Sequence, residues 1–438
     1  MIDEELVRRL RRRVSDRLAQ RDQADETASR PRLGREAQRV YGRQLINEEV
    51  EAYVRDRFDE GVAPLGEAEE DEVIQAVVDA LFGLGRVEMY LADESIENIH
   101  AQGCDRVRIV RADGTREWGE PIASSDAEMV ETLRMAAARS GRSERRFDVG
   151  QPVLNLRLPD GSRLFAAMEV SARPVLSIRR HRFRKITLAD LVGLGTIDRG
   201  LAAFFAASVT ARRNIVIGGG TDAGKTTFLR ALIHAIDPEE RLVVVEDESE
   251  LDLAAAPDLH PDVVELEKRE ANVEGEGLID LAALTRMALR MAPDRVIVGE
   301  VRGGDGEVLP MLLAMSQGND GSMCTIHADS STGVLSKIAL YAVMARESLP
   351  MEATAMLIAN SVHLVVHLRK LADGTRVVSS VREIVGADGR MVLSNEVYAP
   401  GYDGRARPAS PMSEDGLSRL RAAGFDDGLL LNPEGWWS

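Results

Sequence analysis

The feature that most constrains this chain is the stretch from Asn214 to Arg230, where a short apolar strand runs through a glycine-rich turn into a helix. Gly219 to Thr226 fits the pattern G-x-x-x-x-G-K-[ST] of a phosphate-binding loop. Such a loop wraps a polyphosphate in backbone N–H groups. Gly219, Gly220 and Gly224 let the backbone approach the anion and take positive φ. The helix beginning near Lys225 points the positive end of its dipole at the same place. The candidate nucleotide contacts are therefore Gly219, Gly220, Thr221, Asp222, Ala223, Gly224, Lys225, Thr226 and Thr227. Lys225 serves the β/γ oxygens and the Thr226 hydroxyl serves Mg²⁺. Asp222 is unusual, because a carboxylate repels phosphate, so its side chain is expected to point out of the loop. A glycine-rich turn that binds nothing is the alternative; the strand before, the helix after and the Lys-Thr pair speak against it.

The remainder of the chain sets bounds. At 438 residues it suits two or three domains with a substantial core. A net charge of -17 argues against a surface built wholly for nucleic acid, which needs concentrated Lys and Arg. No nucleic-acid partner is expected. Cys104 and Cys324 form no C-x-x-C pair, so neither a disulfide framework nor a zinc ribbon is indicated, and the reduced cytosol is the expected compartment. No apolar run reaches the ~18 residues of a membrane span, and the Arg-rich start lacks the apolar core of a signal peptide. Any membrane contact is expected to be peripheral.

Texture along the chain suggests an N-terminal helical region over 1–82, a small α+β domain over 83–180, a hinge over 181–186, an α/β domain over 187–398 and a turn-rich tail over 399–438. Leu6, Leu10, Val14 and Leu18 recur at helical spacing among arginines. That pattern fits docking on a membrane or partner, but more simply a solvated helix packed on its own domain. Gln23 to Arg35 reads as a linker. His363 and His367 lie on one alternating strand, ~13 Å apart, too far for one ion. Strands at Leu242–Val245 and Val296–Val298 are continuous β-branched runs suited to a doubly covered parallel sheet. Glu246 and Glu250 follow the first and Glu300 the second, at strand tips where such sheets gather ligands. Carboxylates there can hold Mg²⁺ or orient an attacking water. His327 ends a further short apolar strand in a glycine-rich setting, placed either as a phosphate sensor or as a satisfied core histidine.

The ordered segments Gly219–Thr227, Val245–Leu251, Arg290–Gly303 and Asp320–Ala328 resemble the Walker A, Asp, Walker B and His boxes of the type II/type IV secretion traffic ATPases. Upstream, Leu84–Asp93, Arg157–Arg163 and Leu176–Arg180 resemble the CpaF-like branch that serves Tad (Flp) pili. This resemblance implies a RecA-like ATPase domain after a small α+β domain, ATP and Mg²⁺ as ligands, and a homo-oligomer, by family a hexamer. It also implies a cytoplasmic location against the inner face of the membrane, with a platform protein of a pilus or secretion system as partner. Carried over by position, Lys225 and Thr226 hold phosphates and metal, Glu300 is a metal and catalytic acid beside Glu246 and Glu250, and His327 senses the γ-phosphate. Arg157 and Arg179, with Arg180 as substitute, are the arginines that reach the phosphates. The chain departs from the family at Asp222, at Asn319 where a histidine is common, and in a longer spacing from Arg302 to Met311. Two other readings stand beside the motor: a RecA-like nucleic-acid translocase, and a nucleotide-dependent switch with little turnover.

Overall fold

The computed structural model describes residues 3–27, 34–111, 114–139, 146–180, 185–269, 271, 276–304 and 306–437. Residues 28–33 of the expected linker and 181–184 of the expected hinge lie outside them. The chain forms two units, 1–182 and 183–438.

In the first unit, α1 (Glu4–Thr27), α2 (Arg35–Asp59) and α3 (Glu67–Phe82) make a three-helix bundle. The stripe Leu6, Leu10 and Val14 is buried against Leu45, Ile46 and Val50 of α2 and Val73 and Val77 of α3. Arg13 and Arg17 reach across to Glu49 and Glu48 at 2.9 and 2.7 Å, and Arg21 stacks over Tyr41. The amphipathic face that suggested docking is thus consumed by internal packing, which yields roughly 1.5–3 kcal/mol for each large aliphatic side chain buried. The first part of the chain is a packed bundle.

A short α4 (Glu88–Ala92) leads into β1 (Ile96–Gln102), β2 (Arg106–Arg111) and β3 (Arg116–Gly119), then α5 (Asp126–Arg139), then β4 (Val153–Arg157), β5 (Arg163–Ala167) and β6 (Val175–Arg179). The sheet is antiparallel with order β3-β2-β1-β6-β5-β4. Period-two alternation turns Ile99, Val107, Leu156, Leu164 and Ile178 onto Met129 and Leu133 of α5. The opposite face receives the residues between them. There Arg157 lies opposite Arg163, and Arg163 opposite Arg179, in one cross-strand row.

The second unit opens with α6 (Leu188–Gly193) and α7 (Arg199–Thr210), capped by side chains of Thr187 and Asp198 that accept the N–H of Asp190 and Leu201. Strands and helices then alternate: β7 (Ile215–Gly219), α8 (Lys225–Ile233), β8 (Leu242–Glu246), β9 (Val263–Glu267), α9 (Leu281–Ala288), β10 (Arg295–Val301), α10 (Val308–Ser316), β11 (Met323–His327), α11 (Ser331–Met344), α12 (Met351–Ser361) and β12 (Leu364–Lys370). An antiparallel extension, β13 (Arg376–Asp388), β14 (Met391–Pro400) and β15 (Ala406–Pro408), precedes α13 (Glu414–Ala422). The strand order is β15-β14-β13-β12-β7-β11-β10-β8-β9, parallel from β12 to β9.

Strands β7, β8 and the first half of β10 are buried throughout because helices cover both sheet faces, which is why they read as unbroken aliphatic runs. Phe204, Phe205 and Phe228 fill one layer, with Phe205 and Phe228 edge-on at 5.0 Å. Leu284, Leu312, Ile338 and Ile358 fill the other. The expected tail joins this unit: Leu420 and Phe425 enter the Phe204 layer, the Trp437 indole N–H donates to the Ala406 carbonyl at 3.1 Å, and the Trp436 N–H donates to Asp198 at 2.7 Å. His363 Nδ1 accepts the Asn214 N–H at 2.8 Å, and His367 Nδ1 meets the Ser379 hydroxyl at 2.8 Å. Both histidines are thus tied into the sheet. Among the described residues no helix is long and apolar enough to cross a membrane.

Candidate active site

The parallel strands deliver their chemistry at one end. β7 ends in Gly219, β8 in Glu246 and β11 in His327, while Glu300 is the penultimate residue of β10. Register sets His327 directly beside Gly219. This is the carboxyl edge of an open α/β sheet, where ligands bind.

The loop from Gly219 to α8 contains Gly224 at φ 90° and Asp222 at φ 59°. Glycine takes the first at no steric cost; at the second a side chain is strained. Asp222 is held there from outside the loop. Its carboxylate pairs with Lys370 at 2.7 Å and Arg376 at 2.5 Å, and its carbonyl accepts from Arg376 Nε at 2.9 Å. Burial alone would raise the Asp222 pKa, but these two cations hold it below its ordinary value. The β12–β13 hairpin thereby clamps the phosphate loop, and the carboxylate is directed at the hairpin cations.

Lys225, nearly buried, donates to the carbonyls of Gly219 and Gly220 at 3.2 and 3.1 Å and to His327 Nδ1 at 3.2 Å. Its Nζ lies 3.9 Å from Glu300 Oε1, and His327 Nε2 lies 3.0 Å from the same oxygen. An ammonium can only donate, so His327 Nδ1 accepts and its Nε2–H donates to Glu300. The ring is the neutral Nε2–H tautomer. Burial, then the Lys225 charge, lower the His327 pKa against the pull of Glu300, in agreement with that assignment. Burial likewise lowers the Lys225 pKa, opposed by Glu300.

The acids divide into two roles. Glu250 accepts the Thr226 hydroxyl at 3.1 Å, and Glu300 faces Lys225 and His327. Glu246, expected to share their work, is buried and spends its oxygens on the N–H groups of Glu250 at 3.1 Å and Leu251 at 3.2 Å. It positions the loop that carries Glu250. Burial pushes its carboxyl up to about 7, more than those backbone bonds pull it down. Gly299 makes room for it, since a Cβ there would stand 2.7 Å from Glu246 Cγ. Arg302 donates to Glu300 at 2.8 Å and to Asp247 at 2.5 Å, and Lys268 meets Asp247 at 3.4 Å. Within the long Arg302–Met311 segment Glu307 accepts the N–H groups of Arg302 and Gly303, both at 2.6 Å. Pro310 falls in the first turn of α10, where no intrahelical N–H bond is lost. Asn319 donates to the Pro293 carbonyl at 2.6 Å.

The arginine row lies in the first unit. Arg180, expected as a substitute for Arg179, is one residue out of phase and donates to the Asp93 carbonyl instead. Arg163 occupies the row and was missed; the alternation through the β4–β5 hairpin was the available signal. Also missed were Asp247, Lys370, Arg376 and Lys337, whose ammonium donates to the His327 carbonyl at 2.8 Å.

The family model for type II/IV secretion system proteins matches residues 81–409. A putative conjugal transfer protein of Mycobacterium tuberculosis is 34% identical over 337 residues, covering 75% of this chain and 92% of that protein. The probable conjugal transfer protein TrbB of Sinorhizobium fredii is 33% identical over 288 residues, covering 65% and 81%. The type IV secretion system protein VirB11 of Brucella suis is 28% identical over 335 residues, covering 70% and 90%.

Proposed function

The chain belongs to the type II/IV secretion system protein family, and we propose that it is an ATP-hydrolysing motor for protein secretion or pilus assembly. The observation that carries this reading is the convergence of Lys225, Thr226, Glu250, Glu300 and His327 on the phosphate loop at one sheet edge. Backbone N–H groups of Gly220 to Thr226 cradle the phosphates, and Lys225 supplies the compact charge for the β/γ oxygens. Thr226, Glu250 and Glu300 are hard oxygen donors of the kind Mg²⁺ takes, and the donor set fits that ion. When bound, the metal neutralises charge that develops on the phosphate oxygens.

Glu300 orients the attacking water and takes its proton. His327 holds one Glu300 oxygen through Nε2–H, and Arg302 holds the other. The same histidine sits on Lys225, so a change at the γ-phosphate is felt at the catalytic acid. Arg157, Arg163 and Arg179 present planar donors suited to phosphate oxygens. In this reading they serve the ATP of the assembled motor, as an arginine finger does.

The motor works as a ring, hexameric by family resemblance and of the CpaF-like Tad branch, on the cytoplasmic side of a membrane platform protein. Phosphate release by wild type and Lys225→Ala tests the core of this reading. The variant keeps its circular dichroism and loses turnover; wild-type-like turnover in it refutes the assignment. Co-purification with a platform protein tests the partner, and native mass spectrometry with a non-hydrolysable analogue tests the ring.

A further inference from the structure

The phosphate loop is held from outside as well as from within. Register sets Leu368 of β12 beside Gly219 of β7, so β12 runs on past the start of the loop and ends at Lys370. Arg376, the first residue of β13, lies directly opposite Lys370. Two like charges facing each other across a ladder are destabilising. The acid that offsets them comes from the loop: Asp222 accepts from Lys370 on one carboxylate oxygen at 2.7 Å and from Arg376 on the other at 2.5 Å. Arg376 Nε also donates to the Asp222 carbonyl at 2.9 Å. The aliphatic stem of the same arginine lies against Gly224, where a Cβ would stand 3.1 Å from Arg376 Cδ.

Asp222 has φ 59°, a left-handed backbone that is costly for a residue with a side chain. A loop that must present its N–H groups in this conformation binds an anion in proportion to the time it spends there. Without the two cations Asp222 relaxes toward ordinary backbone angles, and each binding event must first restore the loop. We propose that Lys370 and Arg376 are positioning residues for nucleotide binding: through Asp222 they keep the phosphate loop in its anion-binding shape before the nucleotide arrives. They act on loop shape, which bound nucleotide also enforces, so they set affinity and leave the chemical step alone. The proposal rests on the ATPase reading.

Calorimetric titration of the full chain with ADP, together with steady-state phosphate release, tests it. Arg376→Ala removes both the second carboxylate contact and the carbonyl contact of Asp222. It weakens ADP binding about tenfold and raises KM for ATP in step, with kcat within about twofold of wild type. Arg376→Lys restores part of the lost affinity. In an Asp222→Gly background, where the positive φ costs nothing, Arg376→Ala changes ADP affinity by less than about twofold. Lys370→Ala weakens binding about threefold, and serves if circular dichroism shows that Arg376→Ala does not fold. A loss of about tenfold that persists in the glycine background overturns the proposal, because Arg376 then meets the nucleotide itself. So does a fall in kcat at unchanged affinity. ADP that binds wild type and both alanine variants alike overturns the proposal alone, whereas ADP that fails to bind wild type overturns the ATPase reading and the proposal with it.

Discussion

Replacing Glu246 with glutamine should make the stability of the 183–438 unit less dependent on pH. In the folded chain the carboxyl titrates at about 7, against an ordinary value of 4.5. Between those values the native state binds more protons than the unfolded state. Stability of the wild type therefore falls as pH rises through that window and levels off above it. A shift of this size corresponds to ~3 kcal/mol across the full window, most of it between pH 5 and 7. Glutamine has no such term. The difference in unfolding free energy, wild type minus variant, should drop by about that amount from pH 5 to pH 8. Urea unfolding followed by tryptophan fluorescence measures it in a Trp118→Phe background, where Trp436 and Trp437 report on this unit alone. The slopes against urea should agree between the two proteins, so that midpoints compare directly. A difference that stays constant from pH 5 to pH 8 would mean that Glu246 titrates normally, and the account of its burial would fall.

Glu300→Gln should bind ATP and Mg²⁺ yet hydrolyse at least ~100-fold more slowly in a phosphate-release assay, since a positioned carboxylate contributes on that scale. At Asp222, glycine relieves the positive φ while giving up two exposed ion pairs, terms of ~1 kcal/mol each that nearly cancel. Alanine keeps the strain and loses the pairs, so denaturation should rank Asp222→Ala below both wild type and Asp222→Gly. Leu10→Ala should cost the first unit ~2–5 kcal/mol, because the site is fully enclosed by α2 and α3; a loss below ~0.5 kcal/mol by thermal melt would mean that α1 is not packed in solution.

Local patterns carried most of what could be read without coordinates. The phosphate loop, the strand-tip acids and His327 each depend on residues within a few positions of one another, so spacing marked them as candidates, and the family resemblance supplied the roles expected of them. Interactions across long sequence separations were out of reach. Nothing near Asp222 announces Lys370 or Arg376, since the clamp exists only once β12 pairs beside β7. Glu246 looked like any acid at a strand tip; its burial follows from the loop folding back so that Glu250 and Leu251 meet it. The Leu6–Val14 stripe was ambiguous for another reason. An amphipathic helix has the same pattern whether its apolar face meets lipid or two neighbouring helices, and only packing against α2 and α3 decides. Arg180 was within reach of the sequence, because a strand of period two cannot place both Arg179 and Arg180 on one face.

The large sheet of the second unit also limits how copies of this chain can touch. One margin is β15, three residues ending in Pro408, whose flanking Arg407 is tied to Asp403 and Glu434. The other is β9, short and carrying Glu265 and Glu267. Proline, charge and brevity at a margin discourage a further strand from adding on. Extension of the large sheet by a strand of another chain into one continuous backbone ladder is thereby disfavoured. Where another copy of this chain does touch this unit, side-chain contacts are favoured over strand pairing, and single substitutions can retune them and salt can weaken them.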